Sequence, residues 1–259
     1  MSAPEPGLVA IVTAIPEEFE AIEGHISDRQ RLRAGDGDGG FLLRGRIAGA
    51  PVLLVASGDG AARASASVSF LLRESPVSFL VGAGAAGALD PSLRTGEIVV
   101  ADRILDEKGD GPRPDETLVA RARSLGAIPA TFVQAARPIC SSKEKEILAV
   151  RLRLAGGAPA VVDMESSEWA RAAALHGVPF LLLRAVSDTF EEDLPGFLSD
   201  CLSAEGSVNR AAVARKLITH PTALPVLLRA RKRVREAACQ LGAFLERFLT
   251  GSAPPPGLM

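Results

Sequence analysis

Residues 79–90 read FLVGAGAAGALD. Gly82, Gly84 and Gly87 spell G-x-G-x-x-G after the apolar run VSFLV (77–81), which is the spelling of a dinucleotide-binding turn. Such a turn needs a helix directly after its third glycine, because the pyrophosphate sits on that helix's N-terminus. Here only nine residues, Pro91 and Gly96 among them, separate Gly87 from Glu97, where the apolar run EIVVAD (97–102) begins. A parallel crossover needs about a dozen residues or more. Asp102 stands at the sequence distance of a ribose-binding acid, but it ends the neighbouring strand with no helix between. The glycines are therefore expected to form a small-residue corner, where a ligand can approach backbone N–H groups directly. A corner without a ligand and a dinucleotide-binding domain are the alternatives.

Outward from this stretch, strand-like and helix-like segments alternate. LVAIVTA (8–14) is continuously apolar, as a parallel strand covered on both faces is. Pro16 opens the acidic helix PEEFEAIEGHI, RAGDGDGGF (33–41) is a turn-rich connection, and 41–57 read as a hairpin turning at Ala48–Pro51. A helix over 61–73, strands at 77–81 and 97–102, and a helix over 115–127 come after it. Next come strand ATFVQAA (130–136), a helix capped by Ser142, strand APAVVD (158–163), helix MESSEWARAAALHG and strand VPFLLLRAVSD (178–188). This alternation predicts an α/β fold, a sandwich around a mixed, mostly parallel sheet. Residues 1–200 form the expected catalytic domain and 201–251 a helical extension with a long amphipathic helix from Pro221. The Pro-rich tail 252–259 is expected to be disordered.

The formal net charge of −2 gives no global reason to expect nucleic acid as a partner. No run of about 18 apolar residues suggests an integral membrane segment, and the opening residues lack a signal-peptide pattern, so a cytoplasmic location is expected. Cys140, Cys201 and Cys239 are far apart, and His25, His176 and His220 equally so; no metal is expected. Each histidine reads as a surface or helix-end residue.

Three acids fall at strand ends or first helical turns, where α/β sheets bind ligands: Glu18, Glu165 and Asp188. Each also has a plain reading. Glu17, Glu18 and Glu165 suit the positive end of a helix, and Asp188 could cap the turn after its strand.

The stretches VAIVTAIPEEFEAI (9–22), GAAGALDPSLRTGEIVVAD (84–102) and VVDMESSEWARAAALHGVPFLLLRAVSD (161–188) resemble the nucleoside phosphorylase and nucleosidase superfamily. The nearest branch by motif is that of 5′-methylthioadenosine/S-adenosylhomocysteine nucleosidases. EEDLPGFL (191–198) and the long basic helix are similar to the hopanoid-associated phosphorylase branch, which cleaves adenine from an adenosyl-lipid. The resemblance implies a three-layer α/β/α sandwich. It also implies cleavage of the N-glycosidic bond of a purine nucleoside, expected to be a 5′-substituted adenosine, with release of the free base. By the same resemblance Asp188 is the general acid toward purine N7, with Ser187 positioning it. Glu165 accepts the sugar hydroxyls, Met164 packs on the ribose and Asp163 completes the D-M-E substrate motif. Glu18 orients the attacking water, with Glu17 as a neighbouring candidate, and Gly84, Ala85 and Gly87 lie beside the sugar and nucleophile. A homodimer or higher homo-oligomer is implied, and no cofactor.

Two departures bear on the nucleophile. Ala85 stands where the family has a phosphate-contacting Ser, and Gly82 where hexameric phosphorylases have an Arg. An anion needs paired donors, so water is favoured, with phosphate as a co-substrate the alternative and Arg63 or Arg184 as substitute ligands. A non-catalytic nucleoside-binding member of the fold is the remaining reading. RARKRVRE (229–236) places five cations on the long helix, which suits either a solvated face or peripheral contact with an anionic membrane.

Overall fold

The computed structural model describes residues 7–33, 41–58, 60–152, 154, 159–201 and 208–250. Most of the expected connection at 33–41 and the whole tail 252–259 lie outside the described residues. In chain order the elements are β1 (Val9–Thr13), α1 (Pro16–Glu23), β2 (Ser27–Arg33), β3 (Phe41–Ile47), β4 (Ala50–Ala56), α2 (Ala61–Glu74) and β5 (Phe79–Ala88). They continue with β6 (Ile98–Asp106), β7 (Gly109–Asp110), α3 (Glu116–Ser124), β8 (Ile128–Gln134), α4 (Ser142–Arg151) and β9 (Ala160–Asp163). The last are α5 (Ser166–Leu175), β10 (Phe180–Asp188), α6 (Arg210–Thr219) and α7 (Leu224–Leu249).

Local chemistry accounts for most boundaries. Pro16 takes the first position of α1, where its missing N–H costs nothing. The β3–β4 hairpin turns through Ala48 (φ 48°) and Gly49 (φ 83°), the paired left-handed residues of a two-residue turn. Ser141, one residue before the expected cap, begins α4: its hydroxyl accepts the Glu144 N–H while the Glu144 carboxylate reaches back to the Ser141 N–H. The strand β2 was not legible, because SDRQRLR is a polar run with no apolar alternation. Its place at the sheet edge explains that composition.

One sheet runs β10-β6-β8-β9-β5-β1-β4-β3-β2, and β10 also pairs with β5. The strands β5, β10, β6, β8 and β9 therefore close into a ring, from which β1, β4, β3 and β2 extend as an open wing. Parallel pairing joins β1 to β4 and β5, β10 to β5, and β8 to β6 and β9; the edge strands and the β10–β6 and β5–β9 contacts are antiparallel. Both faces are covered. Val9 and Ile11 of β1 pack with Phe19 and Ile22 of α1, Leu118 of α3 and Leu241, Phe244 and Phe248 of α7. Ala10 and Val12 pack with Val68 and Leu71 of α2 and Trp169 and Ala173 of α5. The C-terminal half of α7 is thus core, whereas Leu224 and Leu228 near its start are exposed.

The glycines of the opening stretch differ from expectation. They make no corner: β5 runs from Phe79 to Ala88, straight through Gly82, Gly84 and Gly87. The next element is again a strand, so no helix offers a pyrophosphate seat and the dinucleotide reading fails. These glycines exist for lack of room. A Cβ on Gly82 would lie 2.5 Å from Leu182 Cδ2 and 2.7 Å from Trp169 Cε3. The Leu182 terminus can move; the Trp169 ring, fully buried, cannot without displacing α5. Gly82→Ala is therefore expected to destabilise the fold by about 1–3 kcal/mol, the usual cost of overpacking. Urea denaturation checks this, with an unchanged midpoint as the contrary result.

Candidate active site

The three acids singled out in the sequence do come together. They sit at the carboxyl ends of β1 and β10 and just after β9, around the C-terminal half of β5. Glu18, in the first turn of α1, is buried, with 4% exposure. Its Oε2 accepts the N–H groups of Ala14 (3.0 Å) and Ile15 (3.3 Å), so it does cap its own helix. Its Oε1 accepts the Ala85 N–H at 2.8 Å and so also ties α1 to β5. A Cβ on Gly84 would stand 2.7 Å from Oε1. Burial raises the Glu18 pKa, against the lowering effect of these N–H groups and of Arg184. Glu17 points elsewhere, its Oε1 lying 3.3 Å from Arg231 Nε of α7.

Glu165 caps the start of α5 by position but makes no side-chain cap bond. Its Oε1 instead accepts the Gly60 N–H at 3.0 Å. Gly60 holds φ 94°, a left-handed conformation that favours glycine, and it opens α2. Burial pushes the Glu165 pKa up to about 8, helped by the like charges of Asp163 and Glu18. The neighbouring Asp163 is engaged within the protein. Its Oδ1 accepts the N–H groups of Glu165 (3.2 Å) and Ser166 (3.1 Å), and its Oδ2 accepts the Ser166 hydroxyl and Arg184 Nε (2.8 Å). Arg184, 1% exposed, also donates to Ser166 Oγ at 2.8 Å and lies 4.7 Å from the Trp169 ring centre. Asp163 and Arg184 therefore order the turn that carries Met164 and Glu165. Met164 is half-buried, and Arg63 lies on an exposed part of α2.

Asp188 ends β10 against Gly87, where a Cβ would stand 2.9 Å from Asp188 Oδ2. Ser187 Oγ lies 2.7 Å from Asp188 Oδ1 and 3.2 Å from the Ala86 carbonyl oxygen, so it holds the acid beside β5. Sequence reasoning missed the other partner. Lys145 of α4 is 1% exposed, with Nζ 2.7 Å from Asp188 Oδ2. Nothing in SSKEKEIL distinguishes it from its solvated neighbours; the fold alone turns it inward. Among the described residues, no group of three or more His, Cys, Asp or Glu is placed to hold a metal ion.

The arrangement offers two acids whose environment favours a proton, one carboxylate paired with a cation, and a strand backbone with no side chains at Gly84 and Gly87. That set can polarise water, accept sugar hydroxyls and serve a leaving group. The family model described as the phosphorylase superfamily matches residues 8–219. A 5′-methylthioadenosine/S-adenosylhomocysteine nucleosidase of Marinomonas sp. (strain MWYL1) is 27% identical over 223 residues, covering 77% of this chain and 94% of that protein. The solved S-adenosylhomocysteine nucleosidase of Streptococcus pyogenes, in complex with 5-methylthiotubericidin, aligns with a TM-score of 0.74 at 19% identity, over 97% of this chain and 100% of that one. The futalosine hydrolase of Helicobacter pylori aligns with a TM-score of 0.71 at 16% identity, over 94% and 97%. Both solved structures share the fold.

The raised pKa of Glu165 has a consequence for stability. The folded group keeps its proton up to about pH 8, whereas an ordinary glutamate, at 4.5, has lost its own by then. Between those values the folded state binds more protons than the unfolded, so this residue lowers stability progressively as pH rises through the window. Glu165→Gln removes the effect. Its Tm relative to the parent is expected to rise from pH 5 to pH 8.5, by about 2–4 °C for each kcal/mol relieved. Parallel Tm curves for the two proteins across that range would contradict it.

Proposed function

The chain belongs to the phosphorylase superfamily, and on that premise we propose that it is a nucleosidase that cleaves the N-glycosidic bond of a 5′-substituted adenosine with water. The carrying observation is the convergence of Glu18, Glu165 and Asp188 around the small-residue stretch Gly84–Gly87 of β5. In this reading a substrate lies along Gly84–Gly87. Glu18, fixed to the Ala85 N–H, takes a proton from the attacking water. As substrate binds, Glu165 gives the proton it holds in the free enzyme to solvent; its carboxylate then accepts the ribose hydroxyls and stabilises the positive charge that develops on the sugar. Asp188, steered by Ser187, serves the leaving purine, whose expulsion as an anion is slow unless it is protonated.

Water is the favoured nucleophile for two reasons visible at the site. Ala85 offers an N–H but no hydroxyl, and that N–H is already given to Glu18. The Arg184 guanidinium is buried against Asp163, Ser166 and the Trp169 ring. The named activity of the Marinomonas relative supports 5′-methylthioadenosine or S-adenosylhomocysteine as first substrates to try. A cytoplasmic homo-oligomer that acts on a small nucleoside without a cofactor belongs to the same proposal. So does contact of α7 with an anionic membrane, should the 5′ group be a lipid; no helix among the described residues is long and apolar enough to cross one.

The test is release of free adenine from a panel of 5′-substituted adenosines with and without phosphate. Cleavage without phosphate is expected, and Asp188→Asn and Glu18→Gln should each lower kcat by about 10²–10⁴-fold, the range of general acid–base catalysis. No free base from any member would remove the proposal. An absolute need for phosphate would replace hydrolysis with phosphorolysis.

A further inference from the structure

Lys145 departs from what the proposed chemistry alone would require. Its ammonium meets Asp188 Oδ2 at 2.7 Å, and its other donors reach the carbonyl oxygens of Thr189 and Glu192, the latter at 3.3 Å. An ammonium has three N–H groups, so all are used within the protein and none is left to touch a substrate. Each group answers the other's burial, because an ammonium or a carboxylate left there alone would cost several kcal/mol. Lys145 Nζ is the donor in that 2.7 Å bond and Asp188 Oδ2 the acceptor, while the reaction needs a proton delivered to the departing base.

We propose that this proton starts on Lys145 and reaches the base through Asp188. The inference rests on the nucleosidase reading and deepens it. The Nζ–H bond breaks as the Asp188 Oδ2–H bond forms, which leaves an amine and a carboxylic acid. That O–H bond breaks as an N–H bond forms on the purine, while the glycosidic C–N bond breaks with its electron pair going to the base. The attacking water gives one proton to Glu18 as its oxygen bonds to the sugar. After release Glu18 loses that proton to solvent and Lys145 regains one, so the sum is nucleoside plus water giving sugar plus purine. The first transfer leaves no separated charge behind, and the negative charge that develops on the departing base draws the proton onward. Lys145 is thus a positioning residue acting through Asp188. The other charged groups nearby have partners of their own. The Glu192 carboxylate accepts the Thr189 N–H (3.1 Å) and pairs with Arg233 (2.6 Å), and Glu144 pairs with Arg137 (2.7 Å). Asp193 accepts the Ser142 N–H at 2.7 Å.

The experiment measures kcat and KM for 5′-methylthioadenosine from pH 5 to 9 in the parent, Lys145→Arg and Lys145→Met, with circular dichroism to confirm folding. A guanidinium can hold the carboxylate but does not release a proton in proteins. Lys145→Arg is therefore expected to keep KM within about threefold and to lose about 10²-fold in kcat, the low end of an acid–base contribution. Lys145→Met should lose as much at pH 8 and recover as pH falls toward 5, as protons from solvent replace the one that Lys145 supplied. Lys145→Arg with kcat within about threefold of the parent, or a Lys145→Met profile parallel to the parent's at every pH, overturns the proposal. If Lys145→Met does not fold, Lys145→Arg decides. Failure of the parent to release adenine refutes the functional reading itself; only the ratio of variant to parent bears on Lys145.

Discussion

The Glu18 carboxylate accepts the Ala85 N–H at 2.8 Å, and that contact depends on a strand with no side chain at Gly84. The same condition recurs at Gly87, whose missing Cβ leaves room for Asp188. Two acids from distant parts of the chain can therefore rest against one stretch of backbone. A methyl group at either position would stand within 3 Å of a carboxylate oxygen. Gly82 makes the equivalent allowance on the core side, where Trp169 seats α5. The glycine pattern that imitates a phosphate-binding turn is a packing requirement of β5, which holds both the core and the site in register.

With the carboxylates so placed, their surroundings divide the work among them. Glu18 and Glu165 are buried, among the described residues only backbone N–H groups donate to them, and both hold protons more tightly than exposed glutamates. Asp188 stands against a buried lysine and a serine hydroxyl. Like side chains thus acquire unlike chemistry through burial and partners, as acid–base pairs in enzymes generally do. Beneath them the Asp163–Arg184–Ser166 cluster satisfies a buried charge pair with hydrogen bonds and a stacked indole. Removal of one member would leave an uncompensated charge in the core.

The long last helix serves both halves of this arrangement. Its C-terminal part fills the face of the sheet that α1 also covers, with the Phe248 ring 6.4 Å from that of Phe79 at the start of β5. Its basic part is not wholly free: Arg231 pairs with Glu17, Lys232 with Glu236 and Arg233 with Glu192. Such exposed pairs contribute little stability, about 0–1 kcal/mol each. Their effect is geometric, since Glu17 adjoins Glu18 and the Glu192 carbonyl holds Lys145.

The sequence by itself determined the α/β class, most element positions, and the three acids with their motifs, because apolar periodicity, turn chemistry and strand-end placement are local properties. It also weighed against a dinucleotide seat, from the nine residues between Gly87 and Glu97, and the strand that follows β5 removed that alternative. The polar edge strand β2 escaped it, since pairing at a sheet edge needs no apolar pattern. Only the tertiary structure decided that β5 passes straight through its glycines, that the strands close into a ring, and that Arg184 serves Asp163. It alone turned Lys145 inward to Asp188, 43 residues further along the chain. Those features depend on which atoms from distant segments compete for the same space, and on the burial that results, neither of which a local pattern encodes.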